Sequence, residues 1–154
     1  MTTPAPTDPV VAALQAVLAA EHGAVFGYSL IGVRLSDPGQ VDFARTLQAT
    51  HRDVRDALMT DIARRGATPV EALPSYSPAD KVTDATGAQR WALQLEQDCA
   101  AGYRYLLANS VAAGTAGAAA RKQALSGLTG AAVNATRWRK LLTPATPTVA
   151  FPGV

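Results

Sequence analysis

Two glutamates recur in the same local wording: Leu18-Ala-Ala-Glu21 is followed by Gly27-Tyr28, and Leu93-Gln-Leu-Glu96 by Gly102-Tyr103. Leu, Glu, Gly and Tyr keep identical spacing in both copies, so the chain contains an internal repeat. Leu14, Leu18, Val25, Gly32 and Leu35 trace one face of a helix, and Glu21 and Tyr28 fall on that same face. The repeat therefore predicts two carboxylates pointing into an apolar core. Burying them is expensive, and side by side each opposes the other's ionisation, so something must neutralise them. Three neutralisers are visible: a metal ion, a protonated His51 or His22, or an arginine of the last helical segment. Arg137 is the nearest such arginine and Arg139 the next. Two carboxylates and an imidazole suit a divalent ion, which makes Glu21, His51 and Glu96 the candidate metal ligands for a single iron or manganese. Closed by hydrogen bonds, the same groups make a polar layer that can set helix register.

Four helical segments must position these groups. Thr7 or Asp8 followed by Pro9 is a helix start, and Ser36-Asp37-Pro38 repeats the signal. The first helix is expected over 8–35 and the second over 38–65, joined tightly enough to force an antiparallel hairpin. The inward series of the second helix reads Phe43, Leu47, His51, Val54, Leu58 and Ile62, and Gly66 supplies a left-handed stop. Residues 67–84 carry Pro69, Pro74 and Pro78 and no helical period. So long a loop usually has a task, and at about 3.3 Å per residue it can travel the length of a helix as a crossover. Asp84 or Thr86 caps a third helix over 85–113, with Trp91, Leu95, Cys99, Leu106 and Val111 inward. The fourth, over 115–142, is small-sided, with Leu125, Leu128, Val133, Trp138 and Leu142 as its bulk. Residues 1–7 read as a mobile lead and 143–154 as an extended tail pinned by Phe151. The expectation is one all-α domain over 8–142: two antiparallel hairpins joined by a long crossover.

Reflection through each turn brings residues to one height. Glu21 lies level with Arg52, beside the inward His51, and Glu96 lies level with Val133 and Asn134. Paired through a pseudo-twofold axis, the hairpins gather Glu21, Tyr28, Gln48, His51, Glu96, Tyr103, Arg137 and Arg139 into one buried polar cluster. The tyrosines are expected to bond the glutamates as core rings, and His22, turned about 100° from Glu21, to lie at the surface.

Composition narrows the rest. With 154 residues the chain is long enough for one real core, and 48% hydrophobic against 17% charged residues is an ordinary globular balance. The single cysteine, Cys99, excludes an internal disulfide and reads as a buried apolar side chain. The longest uncharged run, Tyr105 to Ala120, falls short of the ~20 apolar residues of a membrane span. The N-terminus lacks a secretory pattern, which points to the cytoplasm. Net charge is only +2, yet no acidic residue follows Asp98, while Arg104, Arg121, Lys122, Arg137, Arg139 and Lys140 do. That basic half offers nucleic acid or a ribosome as a partner, against the plainer reading of a solvated face and cations near a helix end.

Several stretches together resemble a bacterial ferritin-like domain family of unknown function: Leu-Ala-Ala-Glu-His with Gly-Tyr, the helix around Ala-Thr-His51-Arg-Asp-Val-Arg-Asp-Ala-Leu, the second Glu with Gly-Tyr-Arg, and Thr-Arg-Trp-Arg ending in Ala-Phe-Pro-Gly. The resemblance covers roughly residues 10–153 and implies a ferritin-like four-helix bundle, without an established activity. Ferritin-like di-iron sites take one Glu from each of two helices and Glu-x-x-His from each of the other two. Glu21 and Glu96 match the single glutamates, the second helix offers Gln48-x-x-His51, and the fourth offers neither Glu nor His. The expected function is non-catalytic, through binding or as a homodimer favoured by the Ala- and Gly-rich fourth helix and by Tyr76. The alternative is an iron or manganese protein with weak oxidoreductase or storage activity.

Overall fold

Three aspartates start three of the four helices. Asp8 accepts from the Val10 amide at 2.9 Å, Asp37 from Gln40 at 2.9 Å and Asp84 from Gly87 at 2.7 Å, each satisfying a donor the helix leaves open. A computed structural model describes residues 8–154; the expected mobile lead, 1–7, and the alternative cap Thr7 lie outside the described residues. Helices α1 (Pro9–Ile31) and α2 (Pro38–Arg64) form the first hairpin, and α3 (Ala85–Ala112) and α4 (Ala118–Leu142) the second. Helix α1 ends earlier than expected because Gly32–Arg34 tightens into a 3-10 turn, and a second 3-10 turn, Gly114–Gly117, leads into α4. Gly66 provides the left-handed stop of α2, with φ 79°.

Helix α1 packs against both α2 and α3, and α3 against α4, while the α2–α4 seam is wider. Side chains bridge that seam: the Phe43 and Trp138 rings lie 5.1 Å apart, and the Arg137 guanidinium stands 4.6 Å over Phe43. The repeated glycines explain the α1–α3 contact. A Cβ on Gly27 would meet Leu95 Cδ1 at 2.5 Å, and one on Gly102 would meet Val17 Cα at 3.3 Å. Each copy of the repeat thus bares its backbone where the other helix presses closest.

A small-sided face is also what α4 turns inward. Its buried face is Ala120, Ala124, Ala131 and Ala135 with Trp138, whereas Leu125 and Val133 point outward. A helix lying this near its neighbour has room inward only for small side chains, so bulk goes to the other face. Val111 is also exposed, because it sits in the last turn of α3, just before the chain reverses.

The crossover runs along α1 and is fastened to it. Gln15 donates to Thr68 O and accepts from Val70 N, both at 2.7 Å, and His22 Nε2 donates to Val70 O at 3.0 Å. His22 is therefore buried under the crossover, contrary to its expected surface position. Tyr76, expected as an exposed aromatic, is half-buried: it lies against Gly23, and its ring centroid is 5.5 Å from that of Phe26. Helix α1 with its 3-10 extension is long and apolar enough to cross a membrane, with mean hydropathy 1.5 in its best window. Glu21 and His22 interrupt its apolar sequence, and 61% of that window is buried within the bundle.

Candidate functional site

Helix α2 places His51 between the two repeated glutamates. Its Nδ1 lies 2.6 Å from Glu21 Oε2 and its Nε2 3.1 Å from Glu96 Oε1, so both ring nitrogens face carboxylates. Burial drives the His51 pKa down, but the neighbouring Cys99, Glu21 and Glu96 outweigh that and leave it well above its ordinary value. The ring is thus a cation that donates from both nitrogens, and Tyr28 stacks on it at 5.5 Å between centroids.

The tyrosines donate across the repeat. Tyr28 Oη, from the first copy, donates to Glu96 Oε1 of the second at 2.7 Å; Tyr103 Oη, from the second, donates to Glu21 Oε1 of the first at 2.8 Å. Asn134 Nδ2 donates to Glu96 Oε2 at 3.3 Å, and Trp138 Nε1 donates to Tyr28 Oη at 2.9 Å. Five donated bonds therefore reach the two carboxylates, two from His51 and one each from Tyr28, Tyr103 and Asn134. Among the described residues, every buried side-chain nitrogen and oxygen has a partner. Burial, and then the facing glutamate, pushes each tyrosine hydroxyl well above its usual pKa, so both stay donors. Gly127 makes room for Tyr103, since a Cβ there would stand 2.2 Å from the ring.

Three residues expected in this layer are elsewhere. Gln48 Nε2 donates to Val25 O at 3.4 Å, tying α2 to α1. Arg137 stacks on Phe43, and Arg139 donates from Nη1 to Pro147 O at 2.9 Å. Both arginines adjoin the inward Trp138 in sequence, and successive helical residues diverge by about 100°, so neither follows it towards the acids; Arg139 is buried against the C-terminal tail instead. Asn134 and Trp138 take the α4 places instead. Trp138 lies four residues beyond Asn134 on the same face, a spacing that would have pointed to it.

Cys99 is the remaining neighbour. Its sulfur, a Glu21 oxygen and a His51 nitrogen all lie within 4.8 Å of one another, a group that could hold a metal ion. Burial first, then Glu21, pushes the thiol up to about 12, which keeps it protonated at neutral pH in the absence of an ion. Its sequence signal is Glu96-x-x-Cys99, two inward residues one helical turn apart. In this arrangement the imidazole ring stands between Glu21 and Glu96, so one ion could touch Glu21, His51 and Glu96 together only if that ring turned away.

Residues 13–154 match a family described as a domain of unknown function, DUF4439. The chain belongs to that family. The crystal structure of a conserved hypothetical protein from Mycobacterium tuberculosis is similar to this chain, 31% identical with TM-score 0.78, covering 89% of this chain and 99% of that one. A crystal structure of ferritin-like, diiron-carboxylate proteins from Bacillus anthracis str. Ames matches with TM-score 0.76 at 14% identity, covering 90% of this chain and 100% of that one. This second likeness is one of fold: the chain has a ferritin-like four-helix arrangement. No curated protein matches the chain. Tested against a di-iron centre, the donor set of this DUF4439 chain does not fit. The α2 carboxylate is replaced by Gln48, bonded to backbone, and α4 presents Asn134 and Trp138 where a second Glu-x-x-His would be required.

Proposed function

We propose that this protein is a non-catalytic cytoplasmic ferritin-like module that acts through binding, its Glu/His layer holding the two hairpins in register. One observation carries the reading: the imidazolium of His51 lies between the carboxylates, where it supplies the positive charge the layer needs. A buried pair with this geometry is stabilising only while its hydrogen bonds are complete, and here they are. Adding Fe(II) to the purified protein in air and following oxidation by absorbance tests it. The expected rate is that of buffer alone; rapid oxidation lost in Glu96→Ala would overturn the reading.

A single bound ion is the second reading, favoured by the convergence of Glu21, His51 and Cys99. The sulfur moves the preferred ion from iron or manganese towards zinc. Elemental analysis distinguishes it, because a stoichiometric metal lost on Cys99→Ser supports this alternative over a purely organic layer. Self-association is the simplest form of binding; of the features that suggested a homodimer, Tyr76 is engaged by Phe26 of α1, while Ala118, Ala119 and Gly130 of α4 stay exposed. Three of the basic residues that suggested nucleic acid are also engaged, Arg121 on the Ser110 and Gly114 carbonyls, Arg137 on Phe43 and Arg139 on Pro147.

A further inference from the structure

The C-terminal tail is fastened at two points and stands away from the bundle between them. Arg139 holds Pro147 at one end. At the other, Gly153 (φ 81°) lies so close to α3 that a Cβ would meet Ala100 O at 2.6 Å. Between the tail and the outer faces of α3 and α4 lies a cleft of about 900 Å³. Its walls are mainly apolar, with Ala100, Leu128, Ala132 and Ala135 on the helices and Val149 and Phe151 on the tail. Phe151 does not pin the tail, as its sequence suggested; it stands at the rim, 77% exposed.

Arg139 borders the same cleft and is itself only 9% exposed. A guanidinium this deeply placed ordinarily meets a carboxylate. Among the described residues no carboxylate lies within 4.0 Å of Arg139, and none accepts a hydrogen bond from its Nε or Nη2. Those donors are not sealed in the interior, since no buried side-chain nitrogen lacks a partner. A planar fork of free N–H groups at one end of an apolar trough is the arrangement that receives a carboxylate with a hydrocarbon body. From Leu128 to Arg139 the α4 side of the trough rises about 16 Å, enough for a medium-length acyl chain laid along it. Two other charged residues border the cleft. Arg137 has its guanidinium over Phe43, and Asp98 lies about 12 Å from the level of Arg139 along the helices, so it does not compete for the head group.

We propose that the cleft between α3, α4 and the C-terminal tail binds an amphipathic carboxylate, its head on Arg139 and its chain along Leu128, Ala132 and Ala135. This deepens the binding role proposed above, and it shares no residue with the Glu/His layer. Iron oxidation and ligand affinity are separate readouts, so the two proposals fail independently.

Calorimetric titration of the full chain with sodium dodecanoate, kept below its micelle concentration, tests the site, with dodecanol and acetate as the chain-only and head-only probes. Saturable one-to-one dodecanoate binding is expected, with dodecanol at least tenfold weaker and acetate giving no saturation. Arg139→Gln should weaken dodecanoate at least tenfold and Arg139→Lys by less, while Ala132→Phe, which fills the trough without touching the guanidinium, should abolish binding. If Arg139→Gln does not fold, Ala132→Phe and the dodecanol comparison decide alone. Absent binding, dodecanol binding as tightly as dodecanoate, or dodecanoate affinity unchanged by Ala132→Phe would each overturn the proposal. So would self-association abolished by Ala132→Phe without dodecanoate binding, which would assign the cleft to a second copy of the chain.

Discussion

The two hairpins bring the same pair of residues to the centre and differ in what stands behind them. The first contributes Glu21 and Tyr28 and adds a charge, His51; the second contributes Glu96 and Tyr103 and adds neutral donors, Asn134 and Trp138. His51 and Asn134 are the residues that the second helix of each hairpin aims at Glu96, one of them a charged donor and the other a neutral one. One imidazole ring faces both carboxylates, and the neutral Asn134 amide takes the Glu96 oxygen that the ring leaves open. The layer is therefore symmetric in its acids and asymmetric in its base.

Replacing His51 and Asn134 one at a time breaks this comparison most directly. His51→Leu leaves two carboxylates buried without a cation and should cost about 3–5 kcal/mol, read by urea denaturation. Asn134→Leu removes one neutral donor and should cost about 1 kcal/mol. Equal losses would mean that the charge on His51 contributes nothing special. The tyrosines sharpen the contrast. Tyr28→Phe takes a donor from Glu96 and also the acceptor of Trp138 Nε1, so about 2–3 kcal/mol is expected, against about 1–2 kcal/mol for Tyr103→Phe, where only the bond to Glu21 is lost.

A pH series separates the halves by charge alone. The His51 pKa is raised on folding from its ordinary 6.5, so its contribution is fully present below about pH 6.5 and is lost as pH rises towards the folded value. Unfolding free energy should decline above neutrality by at most about 1.4 kcal/mol per pH unit from this group. The decline should vanish in His51→Leu and persist in Asn134→Leu, with chemical denaturation at several pH values as the measurement. The smallest effect is expected at Cys99→Ser. It exchanges one weakly bonding buried side chain for another polar one and should change stability by about 1 kcal/mol or less.

The sequence discloses the acids and the helices far better than the base. Glu21 and Glu96 are legible because a carboxylate on an otherwise apolar helical face has few explanations, and the Asp-Pro pairs at 8–9 and 37–38 mark helix starts by a local rule. His51 follows from its place in the inward series of α2. The arginines mislead because charge and approximate height make Arg137 and Arg139 look like counterions, while a helix rotates both aside from Trp138. The crossover contacts of Gln15, His22 and Tyr76 leave no periodic trace, since loop residues find their partners through tertiary geometry alone.

The crossed tyrosine bonds make each hairpin depend on the other. A lone helical hairpin bearing one Glu and one Tyr could not close either bond within itself, because each hydroxyl reaches the acid of the opposite hairpin. Two copies of such a hairpin, docked about a twofold axis, would close both at once by the same contact made reciprocally. The present chain holds that reciprocal layout within one polypeptide, with residues 67–84 joining the two halves.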